Sequence, residues 1–121
     1  MTISLHSITF DATDPVVLAT FWSNVLGRPV AEGASDRFAQ LTPSRRVPDM
    51  LFIKVPEPKS AKNRMHLDLS APDREAEVTR LISLGATRED DHDELGIRWT
   101  VLRDIEGNEF CVGALSEAAD S

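Results

Sequence analysis

The sequence predicts an α+β fold made from two copies of one strand-helix-strand-strand-strand module. Three observations predict it. Two helical segments each begin at an aspartate and end at a glycine over nearly equal spans, thirteen positions from Asp14 to Gly27 and twelve from Asp73 to Gly85. A strand-like segment precedes each helix and further strand-like segments follow it. Between the two copies lies PEPKSAKNR, Pro56 to Arg64, which has the composition of a linker. The chain therefore reads as one domain over residues 1–121, built of modules 1–57 and 64–115. Two such sheets, each covered by one helix, are able to curve around a cleft.

The elements follow in order. Ile3 to Phe10 is rich in β-branched and aromatic residues and reads as a strand. Asp14 supplies an N-cap acceptor and Pro15 suits the first helical position. Val17, Leu18, Phe21, Trp22, Val25 and Leu26 recur as one apolar stripe, and Gly27 ends the helix. Short strands are expected around Val30, at 37–41 and at 50–55. After the linker, Met65 to Ser70 alternates, with Met65, Leu67 and Leu69 on one face and His66, Asp68 and Ser70 on the other. A helix from Asp73 carries Val78, Leu81 and Ile82 on one side, with a heavier charge load outside, and closes at Gly85. Strands are expected at 86–88, 97–103 and 109–113.

Bulk properties exclude several functions. At 121 residues one domain buries roughly two-thirds of its unfolded surface. No apolar run approaches membrane-spanning length, so no membrane partner is expected. The start MTISLHSITFD lacks a basic region followed by an apolar block, and Cys111 is the only cysteine, which together point to the cytoplasm. Net charge is −7; residues 1–60 hold six basic and six acidic side chains, residues 61–121 seven and fourteen. Such a surface repels phosphate backbones, so nucleic acid is not an expected partner. The run REDDHDE, 88–94, lacks the spaced loop of a calcium hand and reads as a solvated hairpin loop, with His92 an exposed polar residue.

Three motifs carry a family resemblance. TDPVVLATFWSNVLGRPV resembles the first helix of the vicinal oxygen chelate proteins, which include glyoxalase I, extradiol dioxygenases and the fosfomycin and bleomycin resistance proteins. KNRMHLDL is similar to the opening of their second module, and WTVLRDIEGNEFCV to their final hairpin, with Ile105 where a proline is usual. The resemblance covers Ile3 to Gly113. It implies two βαβββ modules forming a U-shaped cleft, and a homodimer. In metal-using members it implies a divalent cation held by the first, fifth and eighth strands, acting as a Lewis acid; bleomycin-binding members need none.

Carried over residue by residue, the resemblance puts Ser7, His66 and Cys111 at the ligand positions. His6 adjoins Ser7, but in a regular strand a one-residue offset reverses the face. Glu109 shares a strand face with Cys111, displaced by about 7 Å. A neutral hydroxyl, one imidazole and one thiol underfill a metal site. No metal or other cofactor is therefore expected; if a metal is present, His66 with Cys111 or Glu109 would hold it, with His6 and Asp68 as further alternatives.

His66 reads either as a ligand or as a pocket histidine bonded to Asp68, Ser7 or backbone. Cys111 reads as a small buried hydrophobe, or as a nucleophile paired with His66. Glu109 is either a general base in the cleft or a surface carboxylate near the turn, and with His66 it is a candidate catalytic residue. Trp22 reads as core. Trp99, mid-strand, offers a flat apolar wall with an N–H donor, with Phe38 and Phe52 as candidate additions to it. Lys54, Lys59, Lys62 and Arg64 either attract an anion or balance the acidic half. No GxSxG, Walker, GxGxxG, CxxC or HExxH pattern occurs. The expected function is binding of a small hydrophobic or aromatic molecule in a cleft lined by Ser7, His66, Asp68, Trp99, Glu109 and Cys111. The alternative is a divalent-metal lyase, isomerase or dioxygenase with a non-standard ligand set. A third option is an accessory domain with no ligand of its own.

Overall fold

The structure, a computed structural model, describes residues 5–45, 48–94 and 96–114. The chain divides into two compact units, Met1–Pro58 and Lys59–Ser121. In the first, β1 (Ser7–Ala12) leads into α1 (Pro15–Leu26), followed by β2 (Phe38–Gln40) and β3 (Asp49–Lys54). In the second, β4 (Leu67–Ala71) leads into α2 (Arg74–Ser83), then β5 (Thr87–Glu94), β6 (Ile97–Arg103) and β7 (Glu109–Ala114). Sheet orders are β1-β3-β2 and β4-β7-β6-β5. In each unit the strand before the helix pairs parallel with the last strand, and the other ladders are antiparallel. The module repeat is thus a repeat of topology.

Both helices start as the sequence requires. The Asp14 carboxylate accepts from the Val17 N–H at 3.2 Å, and the Asp73 carboxylate from the Ala76 N–H at 3.1 Å. Each such cap is worth about 1 kcal/mol. Gly27 takes a φ of 67°, the left-handed conformation that lets its N–H reach the Ser23 carbonyl. Gly85, just past α2, has a φ of 117°, and an added Cβ would lie 2.8 Å from Ile105. Both the backbone conformation and the space there require glycine.

α1 buries Leu18, Phe21, Trp22 and Val25 against its own sheet, so the core reading of Trp22 holds. Val17, expected in that stripe, is exposed. Phe10 stacks on Phe52 at 5.1 Å and meets Trp22 at 5.6 Å, and Phe21 meets Trp22 edge-on at 5.5 Å. Phe52 is therefore core of the first unit; Phe38 belongs to the same unit, half-buried on β2. In the second unit Val78 and Leu81 of α2 pack with Leu102, Phe110 and Val112, while Ile82 is exposed.

Four strand expectations shift. β1 begins at Ser7 because its parallel ladder with β3 starts at Ser7–Asp49; residues 1–4 lie outside the described residues. The strand around Val30 is a single bridge to Leu41. β4 starts at Leu67, leaving Met65 (79% exposed) and His66 ahead of the ladder. The fourth shift is the largest: residues 88–94 are strand, not loop. Acids tolerate this edge position because cations neutralise them across it. Glu89 faces Arg103 at 2.9 Å, Asp93 faces Arg98 at 3.1 Å, and Asp91 takes Arg88 at 2.8 Å.

Candidate functional site in the second module

Period-two alternation in the second sheet puts α2 against one face and leaves a hollow on the other. The hollow is open and has a volume of about 490 Å³. Its floor is low because small side chains meet there: Asp68 pairs with Cys111, Ser70 with Gly113, and Gly113 with Trp99. A Cβ on Gly113 would lie 4.0 Å from that of Trp99, so glycine keeps open the space beside the indole. Trp99 is half-buried and stacks on His92 of the neighbouring strand, with centroids 5.0 Å apart and planes 16° off parallel. This stack fixes the indole plane. His92 is therefore half-buried and engaged, not the exposed residue the sequence suggested.

The hollow brings together five of the six expected cleft residues: His66, Asp68, Trp99, Glu109 and Cys111. Ser7, the sixth, is half-buried at the start of β1 in the first unit. His6 is exposed and precedes that strand. The sequence reading missed Ile97, Val101 and Gly113 as lining residues. Each lies two positions from an expected one, so strict alternation from Trp99 and Cys111 would have found them.

Glu109 takes neither expected role. It is 4% exposed, its Oε1 accepts from Lys59 Nζ at 3.0 Å, and its Oε2 accepts from the Asn63 N–H at 2.8 Å. The Asn63 amide donates in turn to the Glu109 carbonyl at 2.9 Å. Burial pushes this carboxyl up, but the Asn63 and Lys59 bonds outweigh it and hold it below its ordinary range. Glu109 thus anchors the segment entering the second module. Lys59 accordingly balances an acid, and Lys54 donates to the Thr13 carbonyl.

His66 Nε2 lies 3.3 Å from Asp68 Oδ1. Cys111 is buried beside Asp68, its partner across the β4–β7 ladder. Burial first, and then the Asp68 charge and hydrogen bond, raise the thiol above its usual range. A buried thiol shifted in that direction is less activated than a free one, which weighs against the Cys-His nucleophile reading. One donor atom from each of His66, Asp68 and Cys111 lies within 4.8 Å of the others.

The chain belongs to the glyoxalase-like domain family of the vicinal oxygen chelate superfamily, the family model matching residues 7–113. A glyoxalase/bleomycin resistance protein/dioxygenase family enzyme from Burkholderia phytofirmans PsJN is similar in structure, with TM-score 0.77 and 21% identity over 94% of this chain and 100% of that one. Lactoylglutathione lyase from Agrobacterium tumefaciens aligns with TM-score 0.65 and 20% identity, covering 92% of each chain. TioX from Micromonospora sp. ML1 aligns with TM-score 0.62 and 19% identity over 93% of this chain and 98% of that one. At these identities the likeness is one of fold. No curated protein matches the sequence.

The resemblance set out above assigns the cation positions to Ser7, His66 and Cys111. That trio does not fit a hard divalent ion. It offers no carboxylate and one imidazole, and burial pushes its thiol above the usual range.

Proposed function

We propose that this chain is a small-molecule binding protein whose second module holds a hydrophobic or aromatic compound against Trp99, without the inherited cation trio. The observation that carries this reading is the Trp99 indole, fixed by His92, standing beside a glycine-floored hollow of about 490 Å³. A flat apolar wall with a few convergent polar groups is the common anatomy of a small-ligand site. His66, Asp68 and Lys62 supply the polar groups, which would orient a ligand carrying a polar substituent on an apolar ring. Trp22 is sealed in the other module's core, so fluorescence changes on ligand addition report Trp99. Titration with a panel of aromatic and polycyclic compounds should quench the wild-type emission saturably, and Trp99→Phe should remove the effect. A panel that changes neither emission nor melting temperature contradicts the reading. The proposal includes a cytoplasmic homodimer, supported by the family resemblance and the single cysteine; sedimentation measures the oligomeric part.

A second reading, a divalent-metal lyase, isomerase or dioxygenase, is favoured by one observation, the clustering of His66, Asp68 and Cys111. Turnover of a hollow-binding compound that stops on removal of metal would select it over sequestration.

A further inference from the structure

We infer that the second module alone carries a soft-cation site, formed by His66, Asp68 and Cys111, that takes zinc or a similar borderline divalent ion. It differs from the superfamily pattern in using Asp68 and no donor from the first module. The inference goes beyond ligand binding and holds whether the hollow sequesters or transforms its occupant.

Sheet register creates the cluster. β4 and β7 are parallel neighbours, and Asp68 stands directly opposite Cys111. His66 lies two positions earlier on the chain, with its ring 3.3 Å from the Asp68 carboxylate. The three donor atoms already lie within 4.8 Å of one another, while tetrahedral zinc with these bond lengths needs donor separations of about 3.3–3.8 Å. The remaining contraction, on the order of 1 Å, falls on side chains free to make it: His66 and Asp68 are 51% and 74% exposed. Cys111 stays fixed in the floor.

The donor chemistry selects the ion. One imidazole, one carboxylate and one sulfur suit zinc and exclude magnesium or calcium, which require oxygen ligands. Three protein donors leave a fourth position for water or for the hollow's occupant, as in zinc sites that do chemistry. Metal binding forms a sulfur–metal bond and releases the thiol proton to solvent, with no redox change. Glu109 does not compete, since both of its carboxylate oxygens are engaged by Lys59 and Asn63. Lys62, which lines the same hollow, is the opposing charge and weakens the site.

Cobalt(II) titration of the tag-free, reduced full chain tests this directly. One equivalent should produce a thiolate-to-cobalt charge-transfer band and the visible bands of a tetrahedral site, both abolished by added zinc. Cys111→Ser should remove the charge-transfer band. His66→Ala and Asp68→Asn, at exposed positions where folding is retained, should each weaken cobalt binding by about tenfold or more, a loss seen even for outer-shell partners. Ser7→Ala should leave affinity within about twofold, and Trp99→Phe should leave the cobalt spectrum intact while abolishing aromatic-ligand quenching, which separates this site from the ligand reading. Absence of the charge-transfer band, its survival in Cys111→Ser, unchanged affinity in Asp68→Asn, or loss of binding in Ser7→Ala would overturn the inference.

Discussion

The two modules share a topology and differ in what holds them. In the first, α1 has no acid in its first turn and no base in its last, and it buries six residues around an aromatic cluster. In the second, α2 carries Glu75 and Glu77 at its start and Arg80 at its end, and it buries two residues. Polar contacts surround it. Arg74 donates to the fully buried Thr100 hydroxyl at 2.6 Å, Thr100 donates to Asp91 at 2.7 Å, and Arg88 joins Asp91 to Glu75. The Arg88 bonds also hold the Glu75 carboxyl below its ordinary range. The comparison teaches that two modules sharing strand pairing and helix caps need not share side-chain chemistry: one helix packs through a wide apolar face, the other carries a charged surface. Two described cavities lie in the second module, lined largely by polar and charged side chains.

The largest expected effect falls on the apolar module. Trp22→Ala should cost about 3–5 kcal/mol, the range for truncating a fully buried large aromatic, and the loss should barely respond to pH or salt. Chemical denaturation at two pH values and two salt concentrations measures both halves of that statement.

Glu109→Gln in the second module should cost less, about 2 kcal/mol at neutral pH, since it removes charge-assisted bonds to Lys59 and Asn63. Its pH dependence has a definite sign. The folded carboxyl lies below its ordinary value of 4.5, so its stabilisation is complete above 4.5 and fades as pH falls through the folded value. The stability difference between wild type and variant, taken from urea unfolding, should therefore narrow in acid. A gap that stays constant through pH 3 or so would contradict the assignment.

Arg88→Ala is expected to produce the smallest change. Its partners Glu75 and Asp91 are exposed, and such pairs contribute little. The shift in melting temperature should be near the detection limit at low salt and absent at 1 M salt, where the screening length is about 3 Å.

Most of the architecture was legible in the sequence because it is written in local chemistry. Asp14-Pro15, Asp73, Gly27 and Gly85 mark helix ends by capping and φ, which need no tertiary context. Residues 88–94 were not legible, since five acids read as loop until Arg98 and Arg103 are brought across from β6, beside the strand's own Arg88. The exposure of Val17 and Ile82 was hidden for a similar reason: periodicity marks an apolar stripe but not the width of the sheet that covers it. In the site, alternation correctly set His66 with Asp68, and Glu109 with Cys111. Glu109's fate was unreadable because its partners lie 50 and 46 residues away. The pairing of Asp68 with Cys111 needed the β4–β7 register, which no local pattern encodes.

The most direct test of the account is a nitrogen-proton NMR titration of the two indole N–H signals with an aromatic panel. The Trp99 signal should shift saturably with a bound compound while the Trp22 signal stays in place. Two stationary signals across the panel, or movement of Trp22 alone, would contradict a ligand site on the second sheet.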